Sequence, residues 1–184
     1  MWDFETDPDY QELLDWADAF VRDEVEPLDL IWPHLQFTPL TETRRKAGDP
    51  LTAQVRQEGW SATRLDPALA VHAYGQLKLA LLNEVIGRSQ WAPIIFGCQA
   101  PDTGNAEIIA HYGTPEQKER YLRPLLDGEL FSSYSMTEPQ GGADPTQFKT
   151  SATRDGDDWV INGWKYFSSN ANTASFLIVM VVTN

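Results

Sequence analysis

The stretch of this 184-residue chain richest in chemically useful side chains runs Tyr134, Ser135, Met136, Thr137, Glu138, Pro139, Gln140, Gly141, Gly142, Ala143, Asp144. It passes from a strand-like run into a glycine turn. Two adjacent glycines let backbone approach a ligand closely, and Ser135 and Thr137 offer hydroxyls at the strand end. An ordinary Pro-Gly turn accounts for the stretch taken alone. It is not a P-loop, lacking the Gly-Lys-Ser/Thr end, nor a dinucleotide fingerprint, lacking the G-x-G-x-x-G spacing and the following helix. Glu138, just after Thr137, reads as a structural acceptor for turn amides. His34, His72 and His111 are spread along the chain without paired-ligand spacing, so no metal is expected. Cys98 is the only cysteine, which excludes an internal disulfide and a thiolate zinc cluster. With no histidine close in sequence to lower its pKa, it reads as a small packed thiol.

The elements that must position these residues change character along the chain. Asp7 and Pro8 form an N-cap and N1 pair, and Tyr10, Leu13, Leu14, Ala17, Phe20 and Val21 recur at helical spacing until Pro27. Residues 28–48 show neither period and read as a long connection. Asp49 and Pro50 open a short helix closed by Gly59. A longer helix is predicted from Pro67 to Gly87, with Tyr74, Leu77, Leu81, Leu82 and Val85 inward. Asn105 to Tyr112 is a short helix ending at Gly113. Thr114 and Gln117 make a capping box that launches a helix ending at Asp127 and Gly128. After Gly128 strands take over: Phe131–Met136, Lys149–Arg154, and a hairpin through Asp155, Gly156, Asp157 and Asp158 into Trp159, Val160 and Ile161. The apolar run Phe176–Val182 predicts a buried strand. Such a strand needs neighbours, yet the sequence stops two residues later, so these residues are expected to belong to a longer protein.

Composition narrows the function classes. Apolar residues make up 42% and aromatics 11%, which is a folded protein's composition. The net charge of −13 repels phosphate backbones and anionic lipid headgroups, so nucleic acid is not an expected partner. Residues 1–30 carry eleven of the acids against the single base Arg22, a solvated acidic face or a docking site for a basic partner. The start lacks a secretory signal and no run is long enough to span a membrane. With one cysteine, this fits a reducing, cytoplasmic location.

Taken together, YSMTEPQGGAD, the alternating strand with its DGDD turn, and INGWKYFSSNANTASF resemble the flavin-dependent acyl-CoA dehydrogenases. In that family a helical domain leads into a β domain carrying a T-E-P turn and, further on, an N-G-x-K-x-W-I-T-N segment. TGNAEIIAHYGTPEQKERYLRPLLDGE is similar to the family's last N-terminal helices, with their G-T-x-x-Q-K-x-x-Y-L pattern. GRSQWAPIIFGCQAPDTGN resembles the branch also found fused to a kinase-like domain in some animal proteins. The likeness runs from about residue 68 onward.

The resemblance implies an α+β fold: an N-terminal α-helical bundle domain over residues 1–129, then the first strands of a β-barrel-like middle domain over residues 130–184, incomplete. It implies an oxidoreductase of fatty acid metabolism, a flavoprotein using FAD to convert an acyl-CoA to the trans-2-enoyl-CoA. An electron-transfer flavoprotein would be the acceptor, and the assembly a homodimer or homotetramer. Tyr134, Met136 and Thr137 would face the FAD, as would Phe167, which stands where the family usually has Trp, with Ser168 and Ser169. Gly142 and Ala143 would approach cofactor and thioester. Gln99 and Asp102 fall in the loop that reads the acyl chain, so Ala143, Gln99 and Asp102 are the implied substrate contacts. The base would be a glutamate on a C-terminal helical domain, no residue within 1–184 takes that role, and the 184 residues alone are expected to be inactive. Two departures stand out. A-G-S-D reads Gly141, Gly142, Ala143, Asp144 and W-I-T reads Phe167, Ser168, Ser169. Ala143 can offer only backbone, forgoing a hydrogen bond of about 0.5–1.5 kcal/mol. The alternatives are a same-fold flavin oxidase that reduces oxygen, and a non-enzymatic helical interaction module.

Overall fold

A computed structural model describes residues 5–35, 42–60 and 75–183. Helix α1, Pro8–Phe20, starts as the sequence predicts, with the Asp7 carboxylate accepting the Tyr10 amide at 3.1 Å. It does not stop at Pro27. A π turn, Val21–Val25, runs directly into α2, Glu26–Ile31. The amide of Glu26 reaches back to the Val21 carbonyl, so the ring of Pro27 meets a widened turn instead of a tight α-helical one. The same device recurs later in the chain. Helix α7, Pro115–Gln117, passes through the π turn Lys118–Leu122 into α8, Arg123–Leu126, which carries Pro124.

The predicted connection over residues 28–48 is likewise partly helical. Helix α3, Glu42–Gln57, begins well before Asp49 and carries Pro50 in its interior. A proline there costs about 3 kcal/mol, and the burial of Leu51 and Val55 on the same helix outweighs it. Gly48 lets α3 approach the core, because a β-carbon would stand 3.3 Å from the Trp91 ring. Helix α4, Gly75–Ile86, buries Leu79, Leu82 and Ile86, while Leu77, expected inward, is 77% exposed. The predicted start at Pro67, with Tyr74 and His72, lies outside the described residues. Short α5, Ala92–Ile95, is followed by α6, Asp102–Tyr112, which starts a turn earlier than predicted.

The main core gathers α1, α3, α4 and α5 around aromatic rings. Trp60 meets Tyr10 and Phe96 edge-on at 6.1 and 6.2 Å, and Trp16 stacks on Phe20 at 4.9 Å. Each buried ring among them, Trp60, Tyr10, Phe96 and Phe20, is worth about 1.5–3 kcal/mol. Cys98 is buried here, as a packed thiol should be. The capping box is complete, Thr114 and Gln117 exchanging bonds of 2.9 and 3.2 Å.

Four strands follow: β1 Ser132–Ser135, β2 Ser151–Asp155, β3 Asp158–Asn162 and β4 Phe176–Val179. The predicted hairpin is β2 with β3, antiparallel, turning at Gly156 with φ 62°. Strand β4 lies parallel to β1, with Ser132 opposite Phe176 and Ser135 opposite Val179. Bonds between Val182 and the Thr150 to Ala152 segment join the two pairs. The buried strand predicted over Phe176–Val182 is therefore shorter and only half-buried, with Leu177 exposed, since it has a single partner strand. Phe176 closes the seam with the helices, packing on Tyr121 at 4.9 Å beside Ala106, Ala110 and Leu125.

Candidate functional site

The turn after β1 is built around one buried carboxylate. Glu138 and Gly141 exchange backbone bonds of 2.9 and 3.1 Å, closing a four-residue turn. The side chain of Glu138 points back beneath it. Oε1 accepts the Thr150 amide at 2.9 Å and the Lys165 ammonium at 2.8 Å; Oε2 accepts the Lys149 amide at 2.7 Å and the Gln140 side-chain amide at 2.5 Å. Burial pulls this carboxyl upward, yet the bonds from Lys165, Thr150 and the Lys149 amide outweigh it and hold it well below the ordinary carboxylate range. The reading of Glu138 as an acceptor for turn amides describes this geometry, with a lysine added.

Lys165 joins the two chemically loaded stretches. Its ammonium donates to the Met136 carbonyl at 2.8 Å as well as to Glu138, and lies 4.5 Å from the Phe148 ring centre. With side-chain exposures of 9% for Lys165 and 2% for Glu138, the pair is shielded from water. Beside it the Tyr166 amide donates to the Thr137 carbonyl at 2.8 Å, and the Ser135 and Ser168 hydroxyls meet at 2.8 Å. Residues 135–138 and 165–168, distant in sequence, are thus fastened against each other.

Phe167 has φ 56° and leaves its ring 84% exposed, and Asn170 has φ 65°. Left-handed backbone is costly for a bulky residue and persists only where surrounding bonds enforce it, here those of Tyr166 and Ser168 on either side. Tyr134 is half-buried in β1 opposite Ile178. Gly142 and Ala143 are exposed on the far limb of the turn. A β-carbon on Gly142 would stand 3.8 Å from the Thr137 methyl, so the glycine keeps that side open.

Gln99 and Asp102 lie elsewhere, at the root of β1. Asp102 Oδ1 accepts the Ser132 amide at 2.7 Å and the Ser132 hydroxyl at 2.5 Å, and Oδ2 accepts the Gln99 side-chain amide at 2.5 Å. Asn105 Nδ2 donates to the Ser132 hydroxyl at 2.8 Å. Burial pushes the Asp102 carboxyl above its ordinary value, and the bonds from Ser132 and Gln99 offset only part of that. Gln99 and Asp102 line a cavity of about 440 Å³ together with Arg45, Arg56, Thr103 and Leu125.

The site residues that sequence reasoning missed are Lys165, Ser132 and Asn105. Lys165 had a signal. It alternates with Trp164 and Tyr166, both largely exposed, so the period of two turns the lysine inward. Among the described residues no helix is long and apolar enough to cross a membrane, and no group of three His, Cys, Asp or Glu side chains could hold a metal ion.

Fold and site together define a helical unit feeding a small sheet, with a polar, aromatic-edged surface where two loops meet. The model of the acyl-CoA dehydrogenase N-terminal domain matches residues 7–129 and that of the middle domain residues 133–184, so the chain belongs to the acyl-CoA dehydrogenase family. It is 34% identical over 175 residues to acyl-CoA dehydrogenase family member 11 of Mus musculus, a match covering 94% of this chain and 22% of the mouse protein. A solved Mycobacterium abscessus protein, provisionally described as an acyl-CoA dehydrogenase, superimposes with a TM-score of 0.81 at 33% identity over 98% of this chain and 47% of its own. The FAD complex of PigA shares the fold with a TM-score of 0.77 at 20% identity, covering 100% of this chain and 46% of that one. The chain thus spans less than half of each solved neighbour and under a quarter of the mouse relative.

Proposed function

We propose that the protein is an FAD-dependent acyl-CoA dehydrogenase whose flavin lies on the surface formed by Tyr134, Met136 and Thr137 with Phe167, Ser168 and Ser169. The observation that carries this is the Lys165 clamp, which ties the two stretches together and leaves the Phe167 ring open next to them. An exposed ring in a strained backbone suits a planar partner, and fixed hydroxyl donors suit a ring on which charge develops. Family membership and an FAD-bound fold neighbour support the same assignment.

FAD, when bound, supplies the acceptor for the hydride that leaves C3 of the acyl chain. The chain's own part is positional. Phe167 would hold the flavin ring, Thr137 and Ser168 would supply hydroxyls to it, and Gly142 and Ala143 would admit the thioester by keeping the turn free of bulk. The C2 proton needs a base. The resemblance implies that this base is a glutamate on a C-terminal helical domain; the two buried carboxylates described above have their oxygens engaged by donors and serve the fold. Gln99 and Asp102 take no part in this reading, because their polar groups face each other and Ser132.

The test uses the whole protein. It is expected to copurify with a flavin spectrum, to bleach anaerobically on adding an acyl-CoA, and to recover through an electron-transfer flavoprotein. Recovery in air at the same rate would make it an oxidase, and absence of flavin binding would end the assignment. Thr137→Val preserves shape and removes the hydroxyl, so flavin occupancy or the rate of bleaching should fall.

A further inference from the structure

Strand β1 does not simply emerge from the helical unit. Its first residue is held by three bonds to two side chains. The amide and hydroxyl of Ser132 both donate to one oxygen of Asp102, at 2.7 and 2.5 Å, and the hydroxyl accepts from Asn105 at 2.8 Å. Asp102 is itself the first residue of α6, and Asn105 lies one turn on, so a single rigid helix end grips the strand. The second Asp102 oxygen is steadied by Gln99. Ser132 and Ser133 are fully buried, so the grip is not diluted by water. At about 3.3 Å per residue, Ser135, whose hydroxyl meets Ser168, lies only about 10 Å along the same strand.

We propose that Asp102 is a positioning residue: through Ser132 it sets where β1 leaves the helical unit, and so where Tyr134 to Thr137 stand against Phe167. This assigns Asp102 to the flavin-facing strand and away from the acyl chain, and its functional side rests on the reading above. The grip needs an acceptor, not a charge, since among the described residues the donors bonded to Asp102 are neutral: the Ser132 amide, the Ser132 hydroxyl and the Gln99 side-chain amide. Burial of the carboxylate among neutral donors, with its pKa raised, agrees with that.

The experiment compares Asp102→Ala, Asp102→Asn and Ser132→Ala in the whole protein. Hydrogen exchange is read over residues 132–137, together with the FAD dissociation constant, the flavin absorption spectrum and KM for an acyl-CoA. Asp102→Ala is expected to speed exchange through residue 137 at least tenfold, shift the flavin bands and weaken FAD binding about tenfold, with KM little changed. Asp102→Asn keeps an acceptor and should stay within threefold of wild type in all of them. Ser132→Ala keeps the amide bond and should fall between, which also serves if Asp102→Ala does not fold. Faster exchange confined to Ser132 with an unchanged spectrum would overturn the proposal, as would an Asn variant as impaired as Ala, or a raised KM with normal FAD binding. Failure of the wild type to bind FAD would instead sink the functional reading, and exchange over residues 134–137 would still decide whether Asp102 positions the strand.

Discussion

Two buried carboxylates flank β1 in space, one at each end, and their surroundings push them in opposite directions. Asp102, at the root of the strand, is bonded among the described residues to hydroxyl and amide donors, and burial lifts its pKa. Glu138, in the turn beyond the strand, feels the same upward pull, but an ammonium and two backbone amides overcome it. Neutral hydrogen bonds offset part of the cost of burying a charge; a well-placed opposite charge with further donors reverses the balance. The comparison also separates roles. The neutral grip fastens the strand to a helix, while the charged clamp fastens one loop to another and holds a strained aromatic open.

Removing the ammonium would break the contrast most severely. Lys165→Met leaves Glu138 buried with neutral donors alone, the situation of Asp102, and its pKa should rise accordingly. Breaking a buried pair from one side costs about 3–5 kcal/mol, whereas the Glu138→Gln, Lys165→Met double variant removes both charges and should cost less than either single change. Urea denaturation of the three variants measures this. A double variant no better than the singles would show that Lys165 acts mainly through its bond to the Met136 carbonyl.

The second expectation concerns pH and follows from the opposite signs. Glu138 has a folded pKa below its ordinary value of 4.5, so the stability it contributes is present above pH 4.5 and lost as pH falls toward the folded value. Asp102 has a folded pKa above its ordinary 3.8, so its contribution is complete below pH 3.8 and lost as pH rises through the folded value. Denaturation free energies followed across pH should therefore flatten below pH 4.5 in the Glu138→Gln, Lys165→Met variant and flatten above pH 3.8 in Asp102→Asn. Parallel curves for wild type and both variants would remove the distinction between the two sites.

How much of this was legible in the sequence depends on the range of the interaction. The Asp7 cap, the Thr114 and Gln117 box and the Gly156 hairpin are all local, decided within a few residues, and each stands where the sequence puts it. Pro27, read as a helix end, and Pro50, read as a helix start, both misled because a π turn carries the chain past the first and core packing carries a helix through the second, and neither is visible in a short window. Leu77 misled because helical period alone does not say how much of a face finds a neighbour. At the site, the motif residues 134–144 and 161–176 were legible through their resemblance to a family, but Lys165 to Glu138 and Asp102 to Ser132 join residues far apart in the chain. Asp102 and Gln99 read as substrate contacts of a loop because the partner of Asp102, Ser132, lies beyond the next two helices.

The two regions differ in backbone as well as charge, which sharpens the contrast at smaller energies. Among described non-glycine residues only Phe167 and Asn170 have positive φ, and both lie beside the clamp. Phe167→Gly should relieve about 1 kcal/mol of left-handed strain while removing the ring proposed to pack on the flavin. A rise in melting temperature with loss of FAD affinity is expected. A fall in both would mean that the Phe167 ring supports the fold, chiefly through its edge contact with Tyr166 at 5.9 Å.

The smallest effect is expected on the far limb of the Glu138 turn, at Ala143. The exposed methyl there stands where the family pattern has serine, next to Asp144, whose carboxylate is engaged by the Thr146 amide and hydroxyl and by Gln147. Those bonds fix the limb, so an added hydroxyl at position 143 finds a rigid backbone and open space. Ala143→Ser should therefore leave stability within about 0.5 kcal/mol, as exposed substitutions do. If the thioester passes this limb, the new hydroxyl adds one neutral hydrogen bond, and KM for an acyl-CoA should fall by a factor consistent with about 0.5–1.5 kcal/mol. Titrating substrate against flavin bleaching in the two proteins reads that factor. A KM unchanged by the serine would put the thioester away from Ala143. A collapse of stability would show that the correspondence drawn across QGGAD is out of register, because an exposed position on a pinned limb has nothing for the hydroxyl to disturb.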